Sequence, residues 1–189
     1  ATNVLQRPAA CAITAISRDH EAFRGNTLAA IAGEKAGIIK PDVTVTTGRQ
    51  PAEVMEVLER TARENTAPLW RRDHEWFIAP TPDGAGLHYR DTHGTLELPL
   101  PGLGGAHQID NAGRAVATRR GTGRALPPAA WSGIARASWP ARMQRLTGHL
   151  AALLPEGWEL WLDGGHNPGA GEVLARVMDA WPDRPTHLV

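Results

Sequence analysis

Only two of the twenty Lys and Arg residues in this sequence are lysines, and both fall in one stretch, Gly33-Glu34-Lys35-Ala36-Gly37-Ile38-Ile39-Lys40-Pro41. Elsewhere the chain meets its need for positive charge with arginine. An amine can lose its proton and react, while a guanidinium keeps its charge. The spacing of Leu28, Ile31, Ala32 and Lys35 places this lysine on the apolar face of a helix, with its stem half buried. Desolvation favours the neutral amine. A neutral amine can add CO2 to give a carbamate, which replaces a cation by a carboxylate able to hold a metal. The bland alternative is a lysine that snorkels to solvent or pairs within its helix. Lys40, beside Pro41, reads as a solvated turn residue.

His20 lies upstream of this helix, just past an apolar run over 9–17 that reads as a buried strand. Ligands of open α/β sheets collect at the carboxyl ends of strands, and a neutral imidazole there can bind a metal ion. Imidazole by itself suggests zinc, since hard Mg2+ prefers oxygen. A loop histidine bonded to backbone is the other reading.

A second group of candidates lies toward the far end. Asp163-Gly164-Gly165-His166-Asn167-Pro168 follows a Trp/Leu strand and opens a helix, with Asn167 as cap and Pro168 in the first helical position. Capping accounts for Asn167. It does not account for Asp163, whose carboxylate at a strand end can accept from a ribose or an amine. Arg142, between Pro140 and Met143, offers a fork suited to phosphate or sits on the surface. Asn111, in the first turn of a helix, reads as a cap. Gly102-Leu103-Gly104-Gly105 lacks a following Gly-Lys-Ser/Thr and is no ordinary phosphate loop.

The elements that must position these residues follow from periodicity. A strand over 9–17, a helix over 27–36 capped by Thr27 and stopped by Gly37, a strand over 43–47 and a helix over 51–64 imply a parallel sheet carrying helices. The inner stripe of the last helix is Val54, Val57, Leu58 and Thr61. Residues 68–100 change to short β pieces between turns, read as antiparallel hairpins. A helix over about 110–120 follows, with Asp110 as cap, then a short helix over 129–137. Strands are expected over 143–146, 150–154 and 158–162, and a last helix from Asn167 to about Trp181. A domain boundary falls near 124–138.

Composition narrows the classes. The chain has 189 residues, 42% hydrophobic and 21% charged, with zero net charge. Nothing in that balance argues for nucleic acid or an acidic membrane as partner. No apolar run approaches the roughly 20 residues of a bilayer span, and no secretory signal is visible. The single cysteine, Cys11, excludes an internal disulfide and reads as a core residue, so a cytoplasmic setting is the default. The seven tryptophans are scattered and read as packing. The chain opens on Ala1 without an initiator Met and stops at Thr186-His187-Leu188-Val189, which reads as the start of a strand. An internal piece of a longer chain is expected.

Several of these residues resemble one family. Ile13-Thr14-Ala15-Ile16-Ser17-Arg18-Asp19-His20, Gly25-Asn26-Thr27-Leu28 and Glu34-Lys35-Ala36-Gly37-Ile38-Ile39-Lys40-Pro41 are similar to the central domain of folylpolyglutamate synthase, often bifunctional with dihydrofolate synthase, in the Mur ligase superfamily. His107-Gln108 with Asn111, Trp139-Pro140-Ala141-Arg142-Met143-Gln144 and Leu162-Asp163-Gly164-Gly165-His166-Asn167-Pro168 continue the match in order. The fold implied is α/β: the later part of a central ATP-binding domain over 1–124, a linker or hinge over 125–138, and the start of a Rossmann-like C-terminal domain over 139–189. The activity implied is ATP-dependent addition of L-glutamate to dihydropteroate or folate through an acyl phosphate, by a monomer.

The resemblance implies roles as well. His20 would be a Mg2+ ligand and Lys35 a carboxylated lysine. Asn111, Arg142, Asp163 and His166 would form the ATP site, and Ala1 would be part of a substrate-binding stretch. The family's phosphate loop would lie upstream, so the chain alone is expected to be inactive. Two departures stand out: Ala141 replaces the usual Gly, and the glycine-rich segment before His107 is longer. Rival readings are a cell-wall ligase of the same superfamily and a non-catalytic nucleotide-binding module.

Overall fold

The computed structural model describes residues 3–17, 27–181 and 185–189. Its architecture is mixed α/β, with one parallel and two antiparallel sheets. The parallel sheet has the order β1 (Cys11–Ile13), β2 (Val45–Thr47), β3 (Leu69–Arg71), in register Cys11–Val45–Leu69. Helices α1 (Leu28–Ala36) and α2 (Ala52–Glu64) supply its crossovers. Their apolar faces meet the sheet in one core, with Ile31, Ala32, Val45, Val54 and Leu58 all but sealed from solvent.

Local chemistry explains the helix ends. Thr27 accepts the amide of Ala30 at 3.2 Å and caps α1 as its sequence position suggests. Gly37 follows α1 at a right-handed φ of −57°. The helix therefore stops without a left-handed glycine, and the positive φ comes later, at Asp42 (+59°). In α2 the fourth inward residue is Ala62 rather than Thr61, because the Thr61 hydroxyl donates back to the Val57 carbonyl at 2.9 Å.

Strand β1 is shorter than the apolar run predicts, and among the described residues it is an edge strand. Its run leaves the ladder early, because the Ile16 amide donates to the Gln50 side chain at 3.0 Å instead of to a strand. Residues 76–99 form the expected antiparallel meander, β4 (Trp76–Pro80), β5 (Gly86–Asp91) and β6 (Gly94–Pro99). The Trp70 piece, read as part of those hairpins, instead joins the parallel sheet as β3.

Helix α3 (His107–Gly121) packs on both sheets. Val116 and Ala117 enter a second core with Trp76, Ile78, Leu87 and Tyr89. The helix starts three residues earlier than its sequence suggests, and Asp110 is not its cap. The Asp110 carboxylate instead takes Arg72 at 2.9 Å and Arg49 at 3.1 Å, which pins the first turn of α3 to the loops after β2 and β3.

A 3-10 helix over Pro128–Ile134 lies on β6. Beyond it, β7 (Gln144–Leu146) and β8 (Leu160–Leu162) pair antiparallel, and α4 (Pro168–Asp179) ends the regular structure. The strand expected at 150–154 is a single 3-10 turn, Ala151–Leu153, entered through Gly148 at φ +81°. A short apolar run does not distinguish the two by periodicity. Residues 185–189 form no strand.

Candidate functional site

The carboxyl ends of β1 and β2 open toward the first turns of α3 and the N-terminus of α4. Gln50 closes the floor. Its amide nitrogen donates to Thr14 O and to the Thr47 hydroxyl, both at 2.9 Å, while its oxygen holds Ile16 N. That clamp fixes the backbone leading to Ser17. A Cβ placed on Gly169, in the first turn of α4, would stand 2.9 Å from the Ser17 hydroxyl. The two segments of the chain therefore meet here, and a glycine permits the approach.

The α3 side of the cleft carries His107, Gln108 and Asn111. Asn111 is exposed, His107 half-buried and Gln108 buried. Asn111 donates to Gln108 Oε1 at 2.9 Å, and Gln108 contacts His107 Nε2 at 2.9 Å. His107 leans on Gly105 and faces Val177 of α4 across it, since a Cβ on Gly105 would touch the ring at 2.7 Å and Val177 at 3.2 Å. Burial pushes the ring's pKa below its ordinary value. Asp163 pulls it up and Arg176 pushes it further down.

The opposite side is the turn from β8 into α4. Asp163 accepts two backbone amides, Met143 at 2.8 Å and Gly165 at 2.7 Å. This carboxylate thus ties the start of β7 to the turn, a use that reading it only as a ligand contact did not foresee. Gly164 N donates to Ala141 O at 2.9 Å, and His166 Nδ1 lies 2.9 Å from Gly164 O. Asn167 caps α4 by accepting Ala170 N at 2.9 Å, with Pro168 behind it, as expected. Arg142 is exposed and lies over Gly164, donating to Ala141 O at 3.0 Å.

The structure therefore gathers Arg142, Asp163 and His166 on one turn, and across from it Asp163 and Arg176 act on the His107 ring, to which Asn111 is joined through Gln108. No hydrogen bond or ion pair among the described residues joins Lys35 to that cluster. Lys35 is half-buried in the last turn of α1, as its helical spacing suggests. Asn3 donates to Gly37 O at 2.6 Å, which draws the N-terminal stretch to the same helix end. His20 and Ala1 lie outside the described residues. Among the described residues no group of three or more His, Cys, Asp or Glu is placed to hold a metal, and no helix is long and apolar enough to cross a membrane. Gln50 and Arg114, which shape the floor and the α3 side, escaped the sequence reading. Their one sequence signal was polarity next to Gly48 and within the Asn111 face.

No protein-family model matches the chain. Over 185 residues it is 30% identical to the dihydrofolate synthase/folylpolyglutamate synthase of Bacillus subtilis (strain 168), across 94% of this chain and 41% of that one. It superposes on E. coli FolC in complex with DHPP and ADP at a TM-score of 0.80 and 31% identity, over 97% of this chain and 41% of that one. The chain belongs to the folylpolyglutamate synthase/dihydrofolate synthase family. A solved FPGS complex with AMPPCP and folate also matches at a TM-score of 0.80, with 28% identity over 97% of this chain and 45% of that one. The chain thus spans about two fifths of the length of these family members.

Proposed function

We propose that this chain carries the nucleotide-contacting part of an ATP-dependent ligase that adds L-glutamate to dihydropteroate, to folate or to both, through an acyl phosphate. The observation that supports the reading best is that His107, joined to Asn111 through Gln108, faces Asp163 of the other segment. The solved relatives hold DHPP with ADP and AMPPCP with folate, which supports the same ligand classes here.

The residues present suit a phosphate-bearing nucleotide. Arg142 is an exposed guanidinium whose one hydrogen bond among the described residues goes to a backbone carbonyl, so its fork is available to phosphate oxygens. Asn111 is exposed on α3, and Asp163 holds the turn that carries His166. ATP would supply the phosphoryl group that activates the acceptor carboxylate. In this reading His20 serves Mg2+, Lys35 is carboxylated and Ala1 lies in the substrate stretch.

The same reading divides the chain into 1–124 and 139–189 with 125–138 between them. Trp131 and Ile134 pack on the second core, and Gly102 N holds Ile134 O at 3.1 Å. With that stretch packed, the reading puts the bend toward the end of 125–138. Closing that hinge would complete the site around nucleotide.

The test is ATP-dependent transfer of labelled glutamate to dihydropteroate and to tetrahydrofolate by the whole protein. Product with at least one acceptor is expected, and none from this 189-residue chain alone. Turnover of a nucleotide-linked sugar acceptor instead would overturn the reading. Lys35→Arg is expected to cut the rate by about tenfold or more, because arginine keeps the charge but cannot form a carbamate. An unchanged rate would return Lys35 to the snorkelling alternative.

A further inference from the structure

Four side chains at the start of α3 form an unbroken line of hydrogen bonds. Arg114 Nη2 donates to Asn111 Oδ1 at 2.5 Å, Asn111 Nδ2 donates to Gln108 Oε1 at 2.9 Å, and Gln108 Nε2 lies 2.9 Å from His107 Nε2. Residues 108, 111 and 114 are three apart and share one helix face.

The first member fixes the direction of every bond. A guanidinium has only donors. Asn111 must therefore turn its oxygen to Arg114 and its nitrogen to Gln108. Gln108 must then accept with its oxygen and offer its nitrogen to His107. A carboxamide nitrogen only donates, so His107 Nε2 must accept, and the ring is neutral with its proton on Nδ1. A protonated ring would set two donors face to face.

The surroundings support this polarity. Arg114 is wedged against the turn after β2, where a Cβ on Gly48 would stand 3.2 Å from Nη1. Burial lowers the pKa of Arg114, with Asp110 opposing. Around His107 the charged groups are Asp163 and Arg176, from the opposite segment; burial, seconded by Arg176, outweighs Asp163 and favours the neutral ring.

We propose that Arg114 is a positioning residue of the cleft: it sets the polarity of the Asn111–Gln108–His107 line, so that Asn111 keeps an amide N–H for an acceptor atom of the bound nucleotide and His107 stays a neutral Nδ1–H imidazole. The role toward nucleotide rests on the function proposed above. The polarity itself does not, because it exists without ligand.

The test reads the His107 tautomer by 15N NMR in this chain without nucleotide. The unmodified chain is expected to show Nδ1–H and an acceptor Nε2. Asn111→Asp keeps the shape but offers only acceptors. Gln108 must then turn its nitrogen toward the new carboxylate and its oxygen toward His107, and the proton moves to Nε2. Read above the ring's titration, this tautomer change separates polarity from added charge. Arg114→Met frees the line to invert, so both tautomers appear and the titration midpoint of His107 rises. Arg114→Lys, which also only donates, restores the Nδ1–H form.

Retention of Nδ1–H in Asn111→Asp overturns the proposal, as does an Arg114→Met chain indistinguishable from the unmodified one. If Arg114→Met does not fold, the near-isosteric Asn111→Asp decides. ADP affinity of the whole protein, measured by calorimetry, tests the nucleotide role separately. Absence of binding there removes that role and leaves the tautomer result standing.

Discussion

Up to Ala117 the chain buries its apolar residues in two cores, whereas no described residue from Thr118 to Val189 is buried. The two sides of the cleft are therefore held by different forces. His107, Gln108 and Asn111 stand on a helix wedged between two sheets, with Val116 and Ala117 sealed below them. Asp163, Arg142 and His166 stand on a turn shaped by hydrogen bonds to backbone, beside exposed Trp158, Trp161 and Leu162. The first side is positioned by packing and should resist local opening. The second is positioned by a few polar contacts and should open on its own.

The sharpest break of this comparison comes from matched tryptophans. Trp76 is fully buried and stacks on Tyr89 with ring centroids 6.4 Å apart, while Trp158 is 50% exposed. Trp76→Ala is expected to cost about 3–5 kcal/mol, and Trp158→Ala to stay within about 0.5 kcal/mol. Chemical denaturation of both variants checks this, and equal losses would remove the distinction between the two sides.

Gly113 tests the packed side from the opposite direction. Its Cβ would stand 2.6 Å from the Trp76 ring and 2.8 Å from Ile78. Alanine gains about 1 kcal/mol in helix propensity over glycine, but overpacking against a sealed ring costs about 1–3 kcal/mol. Gly113→Ala is expected to destabilise the chain, and a raised melting temperature would show that the core yields.

A smaller effect is expected at Asp163, and it should be local. Removing its carboxylate leaves the amides of Met143 and Gly165 without their acceptor. Asp163→Ala is expected to speed hydrogen exchange at those two amides while the melting temperature of the α3 core stays in place. Slowed or unchanged exchange would mean that Asp163 is not what holds the turn.

The contrast also explains which parts were legible in the sequence. Helices α1 and α2 declare themselves because Thr27, Pro51 and the Val54–Leu58 stripe obey local rules. The cap of α4 is equally local: Asn167, then Pro168. The start of α3 was misread because Asp110 resembles a cap but is taken by Arg49 and Arg72 from distant loops, and no local rule shows that. Strand β3 was given to the hairpins for the same reason, since Trp70 finds its partner Thr46 across a crossover. Asp163 was recognised as a candidate, but its partner Met143 is twenty residues away. The roles of Gln50 and Arg114 depend wholly on partners that the fold brings to them.

Ala141 gives the smallest and most discriminating prediction. Its φ is +54°, in the left-handed region where a Cβ costs about 1–2 kcal/mol. Three hydrogen bonds hold it there: its amide donates to Gln144 Oε1 at 3.0 Å, and its carbonyl accepts Gly164 N at 2.9 Å and Arg142 Nη1 at 3.0 Å. Glycine removes the steric cost but gives back about 0.4–1 kcal/mol through the unfolded chain, so Ala141→Gly gains about 0.5 kcal/mol net. If this side opens independently, that gain cannot reach the global transition set by the Trp76 core. It should appear only as slower exchange at Gly164 N, with the melting temperature unmoved. A rise in melting temperature would instead show that the turn and the α3 core unfold together. The cleft would then have one rigid frame, and not one firm side facing one that opens locally.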